Sequence, residues 1–151
     1  MRRILILCLI FMSLLAITGS ASIPSRSKAD EIIVNDVWIP EGPPSAKATA
    51  AFMVIENHTA KEVALIAAKT DAARATEMHK MEMRNEIMEM KKIERISIPA
   101  HGKAELKPGG LHLMLIGLTK PLKEGDKVSF TLQFSNSTEK TIQAVVKKRN
   151  L

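Results

Sequence analysis

Cysteine is almost absent from this 151-residue chain: Cys8 is the only one. It lies in an apolar run, residues 4–17 (ILILCLIFMSLLAI), behind the basic start Met1-Arg2-Arg3 and ahead of the small residues TGSAS. That order reads as a secretory signal peptide, and the run is short for a bilayer span. Two cleavage positions fit, after Ala21 or after Ala29. The second is preferred because Asp30 begins the first strand pattern; the alternative is an uncleaved N-terminal membrane anchor. Cys8 comes too early for a lipoprotein-type mature start. The expected organisation is therefore a leader over 1–29 and one domain over 30–151. That domain would hold no thiol and no disulfide.

Other absences narrow the function. A blue-copper electron-transfer site needs a Cys thiolate, which nearly excludes that role. Calcium and magnesium need clustered oxygens, and no Asp-rich loop is present. No nucleophile elbow or Cys–His arrangement supports hydrolase chemistry, so the protein is not expected to be an enzyme. Tyrosine is missing, Trp38 is the only tryptophan and the basic residues are dispersed, which argues against a nucleic-acid surface. Residues 1–29 hold four of the 22 Lys and Arg and no acid, so the remainder balances 18 basic against 16 acidic residues, a net of +2. The high pI thus owes much to the export signal.

What is present is a succession of short β-type runs. Strands are expected over Ile32–Ile39, Ala48–Glu56, Val63–Lys69, Ala75–Lys80, Ile87–Lys91, Glu94–Ile98, Leu111–Ile116, Lys127–Phe134 and Thr141–Lys147. Val128, Phe130, Leu132 and Phe134 alternate with Ser129, Thr131 and Gln133, the pattern of a strand buried on one face. Pro108-Gly109 suits the centre of a type II turn. The fold class is all-β, a sandwich or Greek-key barrel. A helix over residues 71–92 is the minority reading.

Methionine is the abundant soft donor. Six fall within 78–114: Met78, Met81, Met83, Met88, Met90 and Met114, together with His79 and His112. Methionine usually fills gaps in cores. In a strand, however, residues two apart share a face, so His112 and Met114 project together while Leu111, Leu113 and Leu115 face the core. Met88 and Met90 repeat that spacing. An imidazole beside a thioether packs poorly but suits Cu(I), a polarisable ion that favours both donors. Zinc prefers thiolate, imidazole or carboxylate.

His79, ten residues, Met90, twenty-one residues, His112, one residue, Met114: this spacing resembles the H-x10-M-x21-H-x-M signature of the PCu(A)C copper chaperones. AAFMVIENHTAKEV resembles the family's early strand and turn, and PAHGKAELKPGGLHLMLIGLTKPLKEGDKV its central block; together the likeness covers nearly all of 31–148. The resemblance implies a cupredoxin-like Greek-key β-fold, export to the periplasm or another extracytoplasmic space, and one Cu(I) held by His79, Met90, His112 and Met114. It also implies a copper-accepting partner, the CuA centre of cytochrome c oxidase subunit II or a Sco-type protein, and a monomer. Copper tolerance or storage, and a metal-free interaction module, are the alternatives.

Two departures from the family stand out. Its hairpin often carries a glycine where this chain reads Met83-Arg-Asn-Glu-Ile87. Met78, Met81 and Met83 also exceed the minimal motif; an apolar collar is the favoured reading, with spare donors or a second weak site as alternatives. His58 and His101 lie in polar turns and are read as solvated. Asn57-His-Thr59 and Asn136-Ser-Thr138 match the glycosylation pattern. Trp38 and Phe52 are read as core.

Overall fold

The computed structural model describes residues 31–148, so the expected leader and both cleavage positions lie outside the described residues. Ten strands follow in chain order: β1 Ile32–Pro40, β2 Ala48–Asn57, β3 Val63–Lys69, β4 Ala73–Arg84, β5 Ile87–Ile93, β6 Ile96–Ile98, β7 Gly102–Leu106, β8 Leu111–Leu118, β9 Lys127–Phe134 and β10 Glu139–Lys147. Among the described residues there is no helix, which settles the ambiguous 71–92 stretch as a hairpin, β4–β5. No helix there is long and apolar enough to cross a membrane.

All ten strands join one open sheet in the order β5-β4-β8-β7-β2-β1-β10-β9-β3-β6. The sheet folds over on itself, so that β3 packs against β4 and β6 against β7. The concave side encloses the core, and the alternation seen in the sequence explains who enters it. Val128, Phe130, Leu132 and Phe134 of β9 are all buried, as are Leu113 and Leu115 of β8 and Ala51, Met53 and Ile55 of β2. Burying a leucine side chain stabilises the fold by roughly 1.5–3 kcal/mol. A one-residue slip of β8 would expose Leu113 and Leu115 and turn His112 and Met114 inward, so the core fixes their direction.

β7 was not anticipated. Only Ala104 and Leu106 of GKAEL point inward, between two turn signals, and such a short alternation is weak. Its pairing with β2 from Met53↔Leu106 to Asn57↔Gly102 supplies what the local sequence does not.

Phe52 is buried as expected, whereas Trp38 needs correction as a core residue. Ile32 and Val34 face the core, and strict alternation would place Trp38 with them. The β1–β2 register shifts between Asn35 and Trp38, with Asp36 at a φ of 51°. This β-bulge inserts one residue and reverses the faces. Val37 and Ile39 therefore turn inward and Trp38 turns out, opposite Phe52. Phe52 is buried, but beneath Trp38 with the ring centres 4.8 Å apart, outside the main core cluster.

The Asn57 motif is structural. Its Nδ2 donates to the carbonyls of Lys61, Ile98 and Pro99, and its Oδ1 accepts from the Thr59 N–H and hydroxyl. The side chain is buried and fully engaged in pinning the loop after β2 to the end of β6.

Candidate metal centre

The outer face of β5, β4 and β8 gathers the residues singled out from the sequence. Directly opposed residues of paired strands point the same way, and the registers are His79↔His112 and Glu77↔Met114 between β4 and β8, and Met81↔Met90 between β4 and β5. His79, Met90, His112 and Met114 thus come from three adjacent strands onto one face. Ala50 lies opposite Met114 on β2, and its small side chain leaves space beside the thioether.

The two imidazoles are 5.8 Å apart between ring centres. Metal–imidazole bonds of about 2 Å, with roughly 1 Å from nitrogen to ring centre, let two rings share an ion at separations up to about 6 Å. Each ring has one nitrogen occupied. His112 Nδ1 lies 3.1 Å from the Gly110 carbonyl and so carries the proton that it donates, leaving the Nε2 lone pair free. The same carbonyl accepts the Met81 N–H at 3.1 Å. Gly110 is held by the turn expected from the sequence: Gly109 has a φ of 77° and the Gly110 N–H donates to the Lys107 carbonyl at 3.0 Å.

His79 is oriented from its other side. Its Nε2 donates to Glu77 Oε2 at 3.0 Å, while Lys92 Nζ donates to Glu77 Oε1 at 2.6 Å. The Lys92 and His79 hydrogen bonds hold the Glu77 carboxyl below its ordinary range, so it is ionised at neutral pH. With Nε2 turned to Glu77, His79 Nδ1 is left buried and without a hydrogen-bond partner. Leaving such an atom unsatisfied costs about 1–3 kcal/mol. A bound soft cation would satisfy it.

The thioethers complete what nitrogen and oxygen do not. Among the described residues no group of three or more His, Cys, Asp or Glu side chains is placed to hold a metal ion. The thioethers of Met90 and Met114 lie on the same face as His79 and His112. Met90, His112 and Met114 line a cavity of about 720 Å³, bounded by Trp38, Phe52 and Pro40. The Phe52 ring centre is 6.5 Å from that of His112. His112 is 4% exposed at the floor, and Met90 is 50% exposed at the rim.

Several contributors escaped the sequence reading. Glu77 precedes His79 by two residues, the same spacing as His112 and Met114, and that signal could have found it. The Gly110 carbonyl and the aromatic wall required the turn and the bulge. Of the additional methionines, Met78 faces the other way and joins the core opposite Leu113, whereas Met81 and Met83 share the face of His79. The His58 side chain pairs with Glu56, its Nε2 3.1 Å from Oε2, and His101 sits at a φ of 51° in the turn before β7.

The fold defines the class: a cupredoxin-like all-β domain with the architecture of PCuAC domains. The copper-bound PCuAC domain from PmoF2 superposes with a TM-score of 0.67 at 22% identity, covering 78% of this chain and 93% of that one. The solution structure of the Cu(I) form of DR1885 from Deinococcus radiodurans gives 0.63 at 31% identity, with 78% of each chain covered. Within that class the chain belongs to the LpqE-like family, described as "Putative lipoprotein LpqE-like", whose sequence profile matches residues 32–146. "Putative lipoprotein Lxx21020" of Leifsonia xyli subsp. xyli is 32% identical over 142 residues, 89% of this chain and 84% of the relative.

Proposed function

We propose that this protein is an exported copper chaperone that holds one Cu(I) through His79, Met90, His112 and Met114 and yields it to a partner. The observation that carries this reading is the His79–His112 pair. Each ring has one nitrogen committed to an orienting acceptor and the other free, beside Met114 and Met90 on the same face. The Cu(I) form of DR1885, 31% identical, supports copper as the ion. The lipoprotein descriptions of the family and of the Leifsonia relative support a location outside the cytoplasm.

Binding and transfer fit the site better than catalysis. Neutral thioethers hold Cu(I) without the strength of thiolates, and the graded exposure of the donors offers a partner a stepwise route. A partner first displaces Met90 at the rim, and His112 at the floor lets go last. The recipient proposed is the CuA centre of cytochrome c oxidase subunit II, reached directly or with a Sco-type protein.

The test is a Cu(I) titration of the purified protein against a chromogenic chelator under reducing conditions, with a His112→Ala/Met114→Ala variant beside it. The expected result is that the tightest-bound equivalent of the wild type is lost in the variant. A wild type that does not compete with the chelator would overturn the copper reading. Incubating the loaded protein with an apo CuA domain then reads the recipient directly, since a formed CuA centre absorbs visibly.

A further inference from the structure

Beyond residue 80 the β4–β5 hairpin leaves the body of the sheet. β8 pairs with β4 from Ala73 to Lys80, the Met81 N–H still reaches the Gly110 carbonyl, and Glu82–Arg84 are paired with β5 alone. The protruding ribbon has two chemically distinct faces. One carries Lys80, Glu82, Arg84, Ile87, Glu89 and Lys91. The other carries the opposed pairs Met81↔Met90 and Met83↔Met88, four thioethers and nothing else.

These side chains do not fill a core. Met83 is 67% exposed and Met88 is 46% exposed, while the methionines that do pack, Met53 and Met78, lie inside the sheet. Of the expected apolar collar, Met78 is buried and Met81 half-buried, whereas Met83 is exposed. Exposed methionine gains little packing over leucine; what it adds is a sulfur lone pair. Directly opposed residues have Cβ atoms about 5 Å apart and diagonal ones about 7–8 Å, within reach of flexible methionine side chains converging on one ion. Three neutral thioethers without an oxygen or charged donor select a soft monovalent cation.

We propose that Met81, Met83 and Met88 form a second Cu(I) site, in line with Met90 and feeding the principal centre. The proposal rests on the reading of His79, Met90, His112 and Met114 as a Cu(I) centre, and extends it outward along the ribbon. Met81 and Met90 face each other, so an ion on the hairpin can pass inward by exchanging one thioether for another, with no change of charge or oxidation state.

The experiment is an anaerobic Cu(I) titration of the purified protein with its methionine ε-methyl groups labelled with carbon-13 and followed by NMR. The first equivalent is expected to shift the Met90 and Met114 methyls. The second is expected to shift those of Met81, Met83 and Met88. A Met81→Leu/Met83→Leu/Met88→Leu variant should keep the first equivalent and lose the second. The His112→Ala/Met114→Ala variant should still shift the three hairpin methyls. If the leucine variant binds as much copper as the wild type, or the three methyls stay unmoved while Met90 and Met114 respond, the second site is overturned and the principal one stands. A leucine variant that is unchanged in copper content but slower in delivery would make the ribbon a partner-docking surface, which also overturns the proposal.

Discussion

His79 and His112 stand directly opposite one another on β4 and β8, each with a single ring nitrogen spoken for. On the proposed reading the two lone pairs serve one ion, and neither ring alone makes a site. His79→Ala and His112→Ala should each weaken Cu(I) binding by at least about 100-fold, since even the loss of an outer partner costs about 10–100-fold. The double variant should be little worse than either single one, the non-additivity expected of donors acting together. Chelator competition measures all three. Strictly additive losses would show that the rings do not share an ion.

Glu77 makes a narrower claim. It fixes which nitrogen of His79 is protonated, and its pairing with Lys92 keeps it anionic. Glu77→Gln keeps the shape but gives up the charge and can present its amide NH2 to the ring. Cu(I) affinity should fall about 10-fold or more while the thermal midpoint hardly moves, because the residue is on the surface. Equal affinity in the two proteins would show that the carboxylate plays no part in orienting His79.

The hairpin that carries Met90 turns through two residues of positive φ, Asn85 at 48° and Glu86 at 65°. This is the backbone of a type I′ turn, for which Asn-Gly is the favoured pair. Glu86 occupies the glycine position and bears the left-handed penalty of about 1–2 kcal/mol. Glu86→Gly should therefore raise stability by up to about 1 kcal/mol, after the extra freedom of glycine in the unfolded chain is counted. Denaturant midpoints measure this. A destabilised variant would mean that the Glu86 side chain contributes something other than strain.

Much of this architecture was legible because it follows from period-two burial. The inward faces of β8 and β9 were assigned residue by residue, and with them the shared direction of His112 and Met114. Trp38 was misread because one bulge at Asp36 reverses every face of β1 after it, and a bulge has no hydrophobic signature. β7 was missed since two apolar residues in five cannot outweigh the turns flanking them. The methionines show the same limit. Met78 and Met81 are three apart and necessarily on opposite faces of a strand, yet on a helix they would have been neighbours. Separating core filler from exposed thioether therefore depended on the β4–β5 register, which comes from pairing between strands.

The most exposed principal donor should govern release. Met90 sits on β5, the edge strand of the sheet, and its thioether stands at the cavity rim, whereas His112 is buried at the floor. An incoming ligand reaches Met90 first. Met90→Leu leaves two imidazoles and Met114, so copper should still load, with affinity lowered about 10-fold, or about 1.4 kcal/mol. Transfer to a chromogenic chelator in a stopped-flow experiment should become faster, since the first displacement step has been removed in advance. Met114→Leu, deeper between Glu77 and Ala50 in register, should lower affinity without the same acceleration. Equal transfer rates in the two variants would show that exposure does not set the order in which the donors leave.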